Sequence, residues 1–355
     1  MKHSEYSELK VFYHMDRIEK LLKNQRVAPV YVRLKPTNVC NQKCYYCVYA
    51  DDIVFKGRKV KHKDYICWDK MQEILNDFES MGVKAVTLSG GGEPLCYKYI
   101  LETLEYLQKS TMDYSVITNA QALEGEIAEM LVDAKWIRIS IDAANSKTYK
   151  EIRRVDTFEH VIENISHFSE IKNKNCTVGI NFVVTQDNYL QVYEMCQLAK
   201  KIHVNNIKFS PLLVGNNLLL YHSSKMRKNV EEQLLKAKRE LQSDNFVIID
   251  KYTNDLGLQN DFEKQYQNCI ISQLFTVVGA DLKIYFCHQR AYMEEGIVGD
   301  ISKQSFKEVW FSEETTQRLK MHNVSEKCNF RCVFEERNIL LNQFFDLDRN
   351  HVNFI

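Results

Sequence analysis

Cys40, Cys44 and Cys47 stand in the segment NVCNQKCYYCVYA, spaced C-x3-C-x2-C directly after a short strand-like run, YVRLKP. In a chain of 355 residues with 11 cysteines this spacing arises by chance only ~0.01 times. Three thiolates on one loop must be delivered together at the end of a strand. They can hold three corners of a [4Fe–4S] cube and leave one iron open, since no fourth cysteine follows nearby. The alternative is a zinc ion completed by a distant His or Cys. The polar N-terminus MKHSEYSELK has no apolar run behind it, and no stretch nears the ~18 apolar residues of a bilayer span. A cytoplasmic protein without membrane association is therefore expected, in which an odd number of cysteines points to metal or redox chemistry rather than a disulfide framework.

From about residue 30 to 215 the chain alternates β-branched runs (YVRLKP, VKAVTLS, YSVITN, KWIRISID, CTVGINFVVT, NNIKFSPLL) with longer helical patterns. Such alternation predicts βαβ units and a mainly parallel sheet, with ligands at the carboxyl ends of the strands. Six strands suit a partial (β/α)6 barrel better than a closed eight-stranded one. The expected organisation is an N-terminal amphipathic helix within 1–29 and an α/β core over 30–215. A linker helix and strand over 216–262 then lead to a small α+β region over 263–355, with a hairpin-like pair LFTVVG and LKIYFC. Forty-seven Lys+Arg balance forty-seven Asp+Glu, which argues against a nucleic-acid partner.

At the end of the second strand stands Ser89-Gly90-Gly91-Gly92-Glu93-Pro94, a turn whose backbone can approach a ligand closely with a carboxylate beside it. The cysteine triad, with Tyr46 before its last member, and this Gly-Gly-Glu-Pro turn together resemble the radical S-adenosylmethionine (SAM) superfamily over about residues 30–215. The resemblance implies that Cys40, Cys44 and Cys47 ligate a [4Fe–4S] cluster whose open iron is chelated by SAM, cleaved to a 5′-deoxyadenosyl radical that abstracts hydrogen from substrate. It implies further that Tyr46 lies near adenine and that Gly91, Gly92 and Glu93 receive the methionyl amine. Ser140, in Ser140-Ile141-Asp142, would contact ribose or carboxylate. Arg153, or Arg154 in its place, would pair with the SAM carboxylate. Asn181 on the fifth strand is either a further cofactor contact or a polar residue satisfying its neighbours.

Cys269, Cys287, Cys328 and Cys332 form a second set beyond the core, able to saturate a zinc ion or a second [4Fe–4S] cluster. This tail resembles the auxiliary-cluster extensions of the superfamily, SPASM and more closely the single-cluster form called twitch. The whole is similar to the deoxy-scyllo-inosamine type of dehydrogenase. Leu282 replaces the glycine usual five residues before the second ligand, and the last pair is spaced C-x3-C rather than C-x2-C.

The resemblance implies an oxidoreductase acting on a hydroxyl-bearing small molecule (a sugar, cyclitol or nucleotide sugar), reduced by an electron donor such as flavodoxin or ferredoxin. A saturated second cluster suits an electron acceptor. The alternatives are a peptide-modifying maturase and a redox-neutral epimerase. Against the maturase, the ~29 residues before the first strand are shorter than a leader-binding module, which in peptide-modifying relatives runs to some eighty. Cys96, three residues after Glu93, is the candidate hydrogen donor for an epimerase, and His288, beside Cys287, is a candidate base; each also reads as a bystander.

Overall fold

The computed structural model describes residues 7–50, 57–213, 221–257, 264–328, 330, 332–348 and 350–353. Ten strands form one sheet in the order β10-β9-β8-β1-β2-β3-β4-β5-β6-β7. They are β1 (Tyr31–Leu34), β2 (Ala85–Leu88), β3 (Asp113–Thr118), β4 (Trp136–Ser140), β5 (Thr177–Val184), β6 (Asn206–Pro211), β7 (Val247–Asp250), β8 (Phe275–Val278), β9 (Lys283–Tyr285) and β10 (Ile297–Asp300). Strands β1 to β7 are parallel to their neighbours. The partial parallel barrel expected from the sequence is present.

Period-two alternation sorts the strand side chains into two faces. Val32, Leu34, Val86, Leu88, Ile137, Ile139, Val178 and Ile180 are buried in the layer shared with the helices. Between them Arg33, Thr87, Arg138, Asn181 and Lys208 occupy the opposite, concave face. Helix Trp68–Met81 shows the matching helical pattern, burying Met71, Ile74, Leu75 and Phe78 at three-to-four spacing. It stops at Gly82, whose φ of 71° closes the C-terminus as few other residues can.

The C-terminal region is welded to the barrel edge rather than tethered to it. Strand β8 runs parallel to β1, pairing Arg33 with Val277, and then turns into the antiparallel β9 and β10. Phe306 meets Phe78 edge-on at 4.9 Å, and the Trp310 indole N–H donates to the Val27 carbonyl at 2.9 Å. Helix Ser224–Leu241 bridges to β7, a seventh parallel strand beside β6. The N-terminal amphipathic segment is a 3-10 turn, Glu8–His14, running into an α-helix, Met15–Leu22, capped at its start by the Ser7 hydroxyl. No helix among the described residues is long and apolar enough to cross a membrane.

Candidate iron–sulfur and cofactor site

The loop after β1 carries Cys40, Cys44 and Cys47 and is held by backbone bonds from two sides. Lys43 and Tyr45 donate their N–H groups to the carbonyls of Arg153 and Ile152, each at 3.2 Å. These are terminal carbonyls of helix Ser146–Arg153, which lack partners within the helix. On the other side Gly92 N–H donates to Thr37 O at 3.0 Å and Glu93 N–H to Val39 O at 2.8 Å. The glycines are demanded by this close approach. A Cβ on Gly91 would lie 1.9 Å from Asn38 Oδ1, and one on Gly92 would lie 2.1 Å from the Val39 carbonyl.

Cys44, Tyr46, Cys47, Ser140, Asp142, Arg153 and Asn181 line one cleft of about 220 Å³ at the carboxyl ends of β4 and β5. Ser140 pairs with Asn181 in the sheet register, which puts both at the same depth. Arg153 and Asp142 form a buried ion pair, and the Tyr46 hydroxyl donates to the same carboxylate oxygen. The other oxygen accepts the Val183 N–H at 2.6 Å. A second Arg153 nitrogen, Nη1, points at Cys44 Sγ at 3.5 Å, and its Nε is buried without a partner. Burial alone would lower the Arg153 pKa, but Asp142, Tyr46 and Cys44 outweigh it and hold the guanidinium charged.

Glu93 does not line this cleft. Its carboxylate is buried and accepts Thr118 Oγ1 at 2.6 Å and Leu95 N–H at 3.1 Å on one oxygen, and Asn119 N–H at 2.8 Å on the other. Burial pushes it up to about 7 against the pull of these donors. Four lone-pair directions with three donors leave one free, on the Asn119-bound oxygen.

The second set assembles from three segments, with Cys269 before the 3-10 turn Ile270–Gln273, Cys287 after β9, and Cys328 and Cys332 on one stretch. Asn338 Nδ2 lies 3.6 Å from Cys269 Sγ, Phe334 N–H donates to Cys332 Sγ at 3.4 Å, and His322 Nε2 lies 3.4 Å from Cys328 Sγ. His322 stacks on Phe286 at 4.1 Å, and burial lowers its pKa to about 4. Burial, and then the neighbouring sulfurs, push Cys287 and Cys332 up to about 12.

Residues 34–207 match the radical SAM superfamily and residues 269–333 match SPASM, an iron–sulfur cluster-binding domain. The chain carries a radical SAM domain followed by a SPASM domain. Among curated proteins it is similar to GTP 3′,8-cyclase of Petrotoga mobilis, 29% identical over 197 residues covering 52% of this chain and 59% of that one. A probable GTP 3′,8-cyclase of Methanocaldococcus jannaschii is 26% identical, covering 67% and 76%. The chain thus spans less than two thirds of the length of the Petrotoga relative. Among solved structures it resembles Streptococcus suis SuiB bound to precursor peptide SuiA, with a TM-score of 0.62 and 17% identity, covering 89% of this chain and 73% of that one. The AdoMet- and peptide-bound anSMEcpe gives 0.61 at 18% identity, covering 86% and 87%. At such identities the two structures speak for the fold.

A radical SAM domain binds a [4Fe–4S] cluster and SAM, and a SPASM domain binds auxiliary iron–sulfur. The donor sets fit. Three cysteines share the first loop and four converge in the second region, each of these four close enough to raise or be raised by its neighbours. Among the described residues no three His, Cys, Asp or Glu side chains converge closely enough to hold one metal ion. A cubane takes each cysteine on a different iron and asks for less convergence than a single zinc.

The structure gathers Tyr46, Ser140, Arg153 and Asn181 around one cleft with two of the three loop cysteines, while Gly91, Gly92 and Glu93 brace the loop's base. Cys96 sits in the 3-10 turn Pro94–Cys96 outside the cleft lining, its thiol pushed up to about 11 by burial and by Glu93. His288 lies beyond β9 with its Nδ1 buried and unpartnered. Three residues were missed. Asp142 stood in plain view within Ser140-Ile141-Asp142 without a role, and it organises both Tyr46 and Arg153. His322 and Asn338 lie within hydrogen-bond range of the Cys328 and Cys269 sulfurs, but nothing local in the sequence marks them.

Proposed function

We propose that this radical SAM protein oxidises a hydroxyl-bearing small molecule by hydrogen abstraction, and that its second cluster accepts the electron left on the substrate. With their cofactors bound, the two sites supply a 5′-deoxyadenosyl radical and a one-electron acceptor. The protein's own part is positional. Arg153, held by Asp142, presents its Nε and a Cys44-directed nitrogen to the cleft, Ser140 and Asn181 offer polar atoms at one depth, and Glu93 keeps one lone pair for the methionyl ammonium. The observation that carries the reading is the second set: four cysteines whose thiols act on one another electrostatically would take all four irons of a cubane and leave no vacant corner, which suits electron transfer rather than substrate chelation.

A second reading, modification of a peptide, is supported by the fold's likeness to SuiB with its precursor peptide and to peptide-bound anSMEcpe. The named cyclases and peptide-bound proteins are not dehydrogenases, so alcohol oxidation rests on the chain's own residues. A redox-neutral reaction through Cys96 gains nothing from a thiol outside the cleft. Anaerobic protein incubated with SAM, reductant and panels of sugars, cyclitols and nucleotide sugars, read by mass spectrometry, tests the choice. Loss of two hydrogen atoms from a panel member supports the proposal. Loss or crosslinking on a peptide, with none on the panels, selects the second reading.

A further inference from the structure

We propose that the barrel lumen recognises an oxyanion, a phosphate or carboxylate of the substrate, which Arg33 of β1 and Lys208 of β6 grip beside the cofactor cleft. This rests on the small-molecule reading above and adds the chemical class of its substrate. Ser140, Asn181 and Lys208 are register partners on three consecutive strands, so Lys208 stands one strand, about 4.8 Å, from a residue lining the cleft. Arg33 lies five strands away along the sheet, yet its charge acts directly on Lys208. Only the curvature of the barrel, with both side chains pointing inward, brings them together.

Neither cation is held in an ion pair among the described residues. Among the described residues Lys208 makes no hydrogen bond or ion pair, and Arg33 makes no ion pair and has its Nε buried without a partner. Lys35 and Arg58 add to the positive field but are committed. Lys35 donates to Tyr49 OH at 3.0 Å, and Arg58 donates to the carbonyls of Ala291 and Gln289 at 2.6 and 2.9 Å. His288 follows Cys287 beyond β9. Its buried, unpartnered Nδ1 gives a further polar atom directed at no protein group.

A bland account would make these cations counter-charges for the iron–sulfur ligands. Other residues hold that post: Arg153 acts on Cys47, Arg290 and Lys264 on Cys328, and Lys264 on Cys332. Like charges gathered in a half-buried space are unfavourable unless an anion joins them. A planar guanidinium opposite an ammonium suits a phosphate or carboxylate, which can take two parallel bonds from the first and a point charge from the second.

The test is calorimetric titration of the anaerobic holoenzyme, with both clusters present, by inorganic pyrophosphate and separately by succinate. One of the two should bind, and Arg33→Gln or Lys208→Gln should weaken it about tenfold or more while iron content and SAM affinity stay unchanged. Pyrophosphate alone binding assigns a phosphate, and succinate alone a carboxylate. Absence of binding by both to the wild-type protein, or equal binding by the variants, overturns the proposal. If a variant loses its clusters, the wild-type protein decides. Pyrophosphate or succinate should then shield Lys208 from an amine-acylating reagent, read by peptide mass, and unchanged labelling under saturating anion rejects the site. Burial, followed by Arg138 of β4 and Arg33, lowers the Lys208 amine to about 8, against the opposing Asp255 and beside Lys251. Binding near pH 8 should therefore take up a proton. Because calorimetry needs no turnover, a protein that binds pyrophosphate but never cleaves SAM would lose the radical reading and keep this site.

Discussion

The two cysteine sites differ in how their sulfurs are surrounded. The first is a single loop with an exposed Cys40, and only Cys44 among its sulfurs has a polar side chain in hydrogen-bond range, flanked by Arg153 Nη1 and Gln42. The second draws four cysteines from three segments and aims a backbone N–H, an amide and a histidine at three of the sulfurs. On the proposed function the decisive difference is ligand number: three cysteines would leave one iron of a cubane open for a ligand and four would close it, which supports assigning substrate chemistry to the first site.

The largest effects should come from emptying one site at a time. Protein purified anaerobically should carry about eight iron and eight sulfide per chain. Replacing Cys40, Cys44 and Cys47 together with Ala should leave about four iron and abolish SAM cleavage. Cys328→Ala should also lower iron to about four, yet keep SAM cleavage and suppress the two-electron oxidation. Zinc in place of half the iron, or retained oxidation without the second cluster, would break the comparison.

Asp142→Asn sharpens it from the first site. Asp142 and Arg153 side chains are 1% and 6% exposed, so removing one charge strands the other in the interior and should cost about 3 kcal/mol of stability. Denaturant unfolding of the apoprotein measures that loss. The SAM affinity of the reconstituted variant should fall as well, because Tyr46 and Arg153 share the lost carboxylate oxygen. An unchanged unfolding midpoint would mean that Asp142 does not anchor the cleft.

Much of the site was legible because its chemistry is local. Three cysteines seven positions apart end to end and a triple glycine before Glu93 are contiguous signals, and both lie at strand ends as the βαβ alternation requires. The Asp142–Arg153 pair spans a helix, and its members are identifiable singly, but no sequence pattern says that they meet. Burial likewise separates Glu93 from the open cleft in a way that residue type cannot show. At the second site Cys269 and Asn338 are brought together by helix Glu335–Phe345 packing on the 3-10 turn Ile270–Gln273, where Asn338 Oδ1 accepts the Ile271 N–H at 3.1 Å, a tertiary event with no short-range trace. With the C-x3-C spacing, Cys332 accepts the Phe334 N–H and its charge acts on Cys287 and Cys328, so the longer gap keeps it on the same side as the other thiols.

Glu93→Gln is expected to have a moderate effect. Exchanging a charged acceptor for a neutral one at a remaining lone pair should cost about 1–2 kcal/mol of SAM binding, several-fold to about thirty-fold in affinity. The sign with pH is fixed by the raised carboxyl. Burial holds Glu93 at about 7, so wild-type affinity for the SAM cation should rise as pH goes from 6 to 8 and the carboxylate ionises. Without SAM, the same shift adds stability below pH 4.5 that is lost as pH rises through about 7. The Gln variant should show a flatter affinity profile over that range, and parallel profiles for the two proteins would remove Glu93 from the cofactor site.

The smallest effect contrasts the backbones of the two regions. Around the first site glycine is compulsory, because Gly91 and Gly92 abut the 37–39 segment at distances that leave no room for a Cβ. Near the second, the turn between β8 and β9 carries Leu282 at φ 60°, a conformation that costs a leucine roughly 1–2 kcal/mol. Leu282 repays part of that strain by packing against the hydrophobic core. Leu282→Gly should therefore change stability by no more than about 1 kcal/mol, relief of the left-handed conformation offsetting lost burial and added chain entropy. Gly91→Ala should cost several times more, since the Asn38 side chain, which also accepts the Tyr292 hydroxyl at 2.5 Å, would have to move. Thermal melts of the two single variants measure both, and a Leu282→Gly protein destabilised as much as Gly91→Ala would show that the second region's turn is held by the leucine's packing rather than tolerating it.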